Sequence, residues 1–89
     1  MQAIGNPEEI KLFARQLKEF NAQLQGNMKR LNAQFKRLGN TWRDKEHQKF
    51  AREYQQTMRV LNQFQRVSDE QIPFLLRKAE ALDRYLKQR

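Results

Sequence analysis

Apolar residues recur at every seventh position through the first half of the chain, at Ile10, Leu17, Leu24, Leu31 and Leu38. A second apolar position runs beside them, first as Phe13 and Phe20 and then, shifted, as Met28 and Phe35. Two apolar positions per seven residues mark a helix that packs along one stripe. Only Gly26 interrupts that stripe. Its start is well marked: Asn6 can cap free amides, Pro7 suits the first helical position, and Glu8 and Glu9 favour the positive end of the helix dipole. Gly39-Asn40 reads as the stop.

The second half repeats the pattern. Thr41 can cap a new helix, with Asp44 three residues on as a shortened capping box. Its stripe runs Phe50, Tyr54, Met58, Leu61 and Phe64, then Ile72, Leu75, Ala79, Leu82 and Leu86. The three-four rhythm slips between Phe64 and Ile72, close to Pro73, which cannot donate a helical hydrogen bond. The pattern therefore predicts one domain over 1–89: helix 1 about 7–38, a turn at 39–42, and helix 2 about 43–87. A kink or break is expected near 68–73, where Ser68 with Gln71 could cap a restarted helix.

Because the turn is short, the two helices must lie antiparallel. Counting back from a turn at 39–42 sets Ile72 and Pro73 beside Pro7 and Ile10, so Phe74–Arg89 should project as an amphipathic tail. One internal seam cannot cover Phe13, Phe20 and Phe35 on one helix together with Val60, Phe64, Val67 and Phe74 on the other. The predicted fold class is thus all-α, an antiparallel helix-turn-helix hairpin that dimerises into a four-helix bundle. The expected dimer and core interface comprises Phe13, Leu17, Phe20, Leu24, Leu31, Phe35, Leu38, Trp42, Phe50, Leu61, Phe64 and Ile72.

Composition changes this picture little. Leu, Gln, Lys, Arg, Glu and Ala dominate, and no segment alternates as a half-buried strand would. Without cysteine there are no disulfides or thiolate metal sites. No apolar run is long enough for an integral membrane segment, and Met1-Gln2-Ala3-Ile4-Gly5 does not read as a cleaved signal peptide. The chain is expected in the cytoplasm, or secreted without a cleaved leader.

Charge adds a second candidate surface. The net charge is +8, and Lys29, Arg30, Lys36, Arg37, Arg43, Lys45, Lys49 and Arg52 flank the turn. Folding should gather them into a basic tip able to meet an acidic partner or nucleic acid. More acids lie at the far end, which favours antiparallel dimers in which each tip meets the other chain's tail. Catalytic chemistry finds no support. His47 is the one histidine and should sit on a solvated face. No phosphate loop, nucleophile elbow or cysteine nucleophile occurs, so no catalytic residue, cofactor or metal is expected.

One segment resembles a known family. Two long helices and a lone Trp42 in the central turn look like the WXG100 (ESAT-6-like) family of small bacterial helical-hairpin proteins. Leu38 and Phe35, four and seven positions before the Trp, and Phe50, eight after it, fit that pattern. The eponymous Trp-x-Gly is here Trp42-Arg43-Asp44. The family's tail signal, a Tyr followed four residues later by an acid, is missing, since Arg89 follows Tyr85 at that spacing and Met58 follows Tyr54. The resemblance implies a non-enzymatic protein-protein interaction role, as a type VII-like secretion substrate or an intracellular adaptor. Its implied partners are a second copy or a similar hairpin, and a secretion ATPase. The alternative is a basic nucleic-acid-associated protein that uses the hairpin tip.

Overall fold

A computed structural model describes residues 5–88. Two helices account for nearly all of them: α1, Pro7–Leu38, and α2, Lys45–Lys87. They fold back on each other as a rod measuring 67 × 19 × 18 Å. The antiparallel hairpin predicted from the apolar pattern is therefore the fold of the chain.

The start of α1 follows from local chemistry. Asn6 Oδ1 accepts hydrogen bonds from the Glu8 and Glu9 amides at 2.9 and 3.4 Å, and Pro7 occupies the first turn. The end of α1 is less conventional. Gly39 keeps a right-handed φ of −64°, so the stop does not use glycine's left-handed freedom. Instead the amides of Asn40, Thr41 and Trp42 turn back onto the carbonyls of Arg37 and Leu38 at 2.9–3.1 Å. Those bonds carry the end of the first arm through Trp42.

The second helix accordingly begins at Lys45, two residues later than about 43. Its cap is Asp44, whose Oδ1 accepts from the His47 amide at 3.0 Å. Thr41, expected to cap it, bonds the Leu38 carbonyl instead. Past this start, α2 is helical through 68–73 without a break. Pro73 is exposed, so the carbonyl deprived of its amide partner can turn to water.

The late start moves the register. Asn21 lies opposite Ser68, and Lys11 opposite Asp83. Leu82 Cδ1 lies against Gly5, where an added Cβ would stand 2.7 Å away. Residues 74–83 thus pack along the first half of α1 rather than projecting as a tail. The chain doubles back about four residues later than a turn at 39–42 implies, which shifts each pairing by about twice that.

In heptad letters, the seam of α1 holds Pro7, Ala14, Asn21, Met28 and Phe35 at a, and Ile10, Leu17, Leu24, Leu31 and Leu38 at d. The seam of α2 holds Ala51, Met58, Gln65, Ile72 and Ala79 at a, and His47, Tyr54, Leu61, Ser68, Leu75 and Leu82 at d. All are buried or half-buried except Leu31 and Leu38 near the turn. Neither stripe slips. The apparent shifts arose because small and polar residues, Ala14, Asn21, Gln65 and Ser68, occupy seam positions.

That polar step is tied together. Asn21 Nδ2 donates to Ser68 Oγ at 2.7 Å and to Asp69 Oδ1 at 2.8 Å, and Ser68 Oγ donates to the Gln65 carbonyl at 3.1 Å. Asn21 is 3% exposed, and its Oδ1 finds no partner among the described residues. A buried amide of this kind fixes register at a cost in stability. Asn21→Leu should raise the melting temperature by several degrees, because it removes the unpaired acceptor and buries more apolar surface. It should also broaden the distance distribution between spin labels placed on the two helices. A label distribution that stayed narrow would show that Asn21 does not set the register.

Candidate interaction surface

The seam alone buries little. Among the described residues the buried apolar side chains are Ala14, Met28, Ala79 and Leu82, and no large side chain is fully enclosed. Two helices with so thin a core are marginal by themselves. What remains outside the seam is not evenly spread.

One flank is apolar. Phe13 and Phe20 occupy g positions of α1, and Phe50 and Phe64 occupy g positions of α2. Val60, Val67 and Phe74 occupy c positions beside them. Phe20 and Phe64 meet across the hairpin edge to face, with ring centroids 5.9 Å apart, which fixes the two g rows on one side. The six residues Phe13, Phe20, Val60, Phe64, Val67 and Phe74 are each 43–57% exposed. From Val60 to Phe74 the α2 row covers roughly 21 Å of helix. Such a continuous strip on a rod this narrow is the mark of a contact surface.

The strip continues toward the turn into a groove of about 450 Å³ lined by Leu31, Phe35, Leu38, Phe50 and Tyr54. Behind it stands an aromatic cluster. Phe35 stacks on Tyr54 at 4.3 Å and on His47 at 5.7 Å, and Trp42 meets His47 edge-on at 5.1 Å. Tyr54 is held by its hydroxyl, which donates to Asn32 Oδ1 at 2.5 Å. His47, expected on a solvated face, is half-buried between Phe35 and Trp42, because it occupies a seam position in the first turn of α2. Its Nε2 is buried without a hydrogen-bond partner among the described residues. Trp42 itself is half-buried over the start of α2, against His47 and Phe50.

The residues singled out in the sequence divide between two structural roles. Leu17, Leu24, Phe35, Leu61 and Ile72 lie in the seam of the hairpin, and Trp42 covers its closed end. Phe13, Phe20, Phe50 and Phe64 remain exposed on the flank, and Leu31 and Leu38, at seam positions near the turn, are exposed as well. Sequence reasoning placed Phe13 and Phe20 in the seam; they stand one position away from it, on the flank. Asn21 and Ser68, which tie the helices at mid-length, carried no apolar signal.

The eight cations of the expected basic tip do not form one cluster. Lys29, Lys36, Lys45 and Arg52 occupy b positions on the flank opposite the phenylalanines, whereas Arg30 and Arg37 occupy c positions on the apolar side. Lys49 lies at an outer f position, and Arg43 is held in the turn by a bond from its Nε to the Gly39 carbonyl at 3.0 Å. Among the described residues no helix is long and apolar enough to cross a membrane, and no group of His and carboxylates could hold a metal ion.

Comparison with protein families matches this chain over residues 4–84 to the WXG100 family, described as proteins of 100 residues with WXG. No curated protein and no solved structure matches. The turn explains how the fold tolerates the altered motif. Asp44, at the place of the motif's glycine, supplies the cap on α2 through its own carboxylate.

Proposed function

Since the chain belongs to the WXG100 family, we propose that it acts by pairing, two copies closing over their apolar flanks into a four-helix bundle. The observation that carries this reading is the strip from Phe13 and Phe20 to Phe74, half-exposed on a hairpin whose own core is thin. A second copy offers the same strip, so a two-fold contact covers both at once.

Charge favours antiparallel pairing. Residues 12–68 hold twelve Lys and Arg against four acids, which is the whole net charge of +8. The ends of the chain that meet at the base are neutral on balance. Setting the two turns at opposite ends keeps the charged halves apart. The Tyr85 end of one copy then lies over the tip groove of the other. The bundle is a non-catalytic interaction protein of the type VII-like class. Either role in that class, export substrate or intracellular adaptor, would run through this paired bundle.

The test is the solution mass by light scattering over a concentration series. A mass near twice 10.8 kDa, stable on dilution, is expected. A monomer that dimerises only with a different co-expressed hairpin would replace the homodimer by a heterodimer on the same flank.

A further inference from the structure

The flank opposite the phenylalanines is different in kind. Its b positions between residues 15 and 66 carry Arg15, Ala22, Lys29 and Lys36 on α1 and Lys45, Arg52, Arg59 and Arg66 on α2. The e positions between them are Gln, Asn and Lys, and no carboxylate falls in either row over this span. Two shallow grooves confirm that both helices contribute to one face. Asn32 and Lys36 line one together with Gln55 and Arg59, with Phe35 and Tyr54 in its wall, and Gln25 lines the other with Asn62 and Arg66, where Asp69 and Glu70 close the end of the row.

These cations are not spent on internal pairs. The ion pairs among the described residues, Lys11 with Glu8, Lys11 with Asp83 and Lys87 with Asp83, all lie at the base of the hairpin. On α2 the arginines lean on neutral amides instead. Arg59 donates to Gln56 Oε1 at 2.7 and 3.2 Å, and Arg66 donates to Gln63 Oε1 at 2.7 Å. This seven-residue repeat orients two guanidinium groups, and neither takes part in an ion pair among the described residues. Acids at helix-neighbour spacing occur only at the ends of the row, Glu19 four residues from Arg15 and Asp69 and Glu70 three and four from Arg66, while Lys29, Lys36, Arg52 and Arg59 have none.

We infer that this face binds the phosphate backbone of duplex nucleic acid. A straight row of fixed positive charge matches a ligand whose negative charge is laid out on a line, at roughly one per 1.7 Å of duplex axis. A membrane surface fits less well, because an interfacial helix needs apolar side chains beneath its cations, and here the apolar strip is on the opposite flank. Single strands fit less well too, since the two rings that line this face, Phe35 and Tyr54, are stacked on each other at 4.3 Å, and Phe20 and Phe64 lie on the other flank. Contact would be to phosphates alone, so binding should be indifferent to sequence and similar for duplex DNA and duplex RNA. The inference does not rest on self-association, which uses the other flank.

The experiment is fluorescence anisotropy of the full chain with a labelled duplex DNA of mixed sequence at 50 and 200 mM KCl. For about five phosphate contacts, affinity should fall by roughly 10²–10³-fold between the two salts. Arg52→Gln, Arg59→Gln and Arg66→Gln together should weaken binding at 50 mM at least tenfold and flatten the salt slope by about three. Arg77→Gln, Lys78→Gln and Arg84→Gln, which remove the same charge elsewhere, should change it less than threefold. Both triple variants are checked for unaltered helicity and mass. Absence of binding at 50 mM, equal losses in the two variants, or binding to phosphatidylglycerol vesicles but not to duplex would each overturn the inference.

Discussion

Phe20→Glu combined with Phe64→Glu will convert the protein to a monomer. The two rings touch each other at 5.9 Å near the middle of the apolar strip, yet each is about half exposed. A single hairpin can therefore accept glutamates at both positions with their carboxylates in water. It gives up only the ring pair, worth about 1 kcal/mol. A bundle closed over the strip cannot accept them, because four carboxylates would be drawn together and stripped of solvent. Each uncompensated buried charge costs several kcal/mol, so the dimer constant should weaken by a factor of at least about 10³. Light scattering should then give 10.8 kDa at concentrations where the parent chain gives twice that. The monomer should also melt at a lower temperature, since it loses the stabilisation that association lends. Gln25→Glu with Asn62→Glu is the matched control. It adds the same charge on the opposite flank, where both side chains are exposed, and should leave the mass unchanged. If instead the control dissociates and the phenylalanine variant does not, the contact surface is the wrong flank.

The hairpin, the start of α1 and one row of the seam were legible because they rest on large apolar residues and on capping side chains. Ile10 through Leu38 repeat without exception, and Asn6-Pro7-Glu8-Glu9 caps as its chemistry suggests. The second row was hidden for a physical reason. A close approach of two helices needs small or polar residues somewhere in the seam, and Ala14, Asn21 and Ser68 supply it. A search for apolar periodicity passes over them and fastens on Phe13 and Phe20, which are larger and lie one position away. The same substitution of polar for apolar at Gln65 and Ser68 made α2 look interrupted when it is continuous. The register error had a different origin. Whether Gly39 or Asp44 marks the turn point depends on backbone hydrogen bonds at Asn40, Thr41 and Trp42 that no single residue type dictates. Charge, finally, was visible as a sum but not as a direction. Lys29 and Arg30 are neighbours in sequence and fall on opposite flanks of the rod, so the basic tip dissolves into a one-sided row only once the seam is known.

Ala79→Asp will unfold the chain, and this outcome separates a packed C-terminal arm from a projecting one. Ala79 is 0% exposed, one turn before Leu82, which is 5% exposed and reaches Gly5 at the start of the opposite arm. A carboxylate there has no room and no cation directed at it. Lys11, which pairs with Asp83 one turn further along α2, already serves Glu8 and Asp83 at 3.7 and 3.8 Å. The desolvated charge costs several kcal/mol, and the crowding adds about 1–3 kcal/mol. A two-helix domain with so few buried apolar side chains has little more than that to lose. Helices released from the seam are marginal in water, so the loss propagates along both arms. Circular dichroism at 222 nm should fall by more than half at 25 °C. Ala33→Asp makes the same chemical change at an exposed position of α1 and should cost only the difference in helix propensity, about 0.7 kcal/mol. Were residues 74–88 a free tail, the two variants would behave alike. The difference between them measures how far the C-terminal arm holds the hairpin shut, and with it the apolar flank that only a closed hairpin can present.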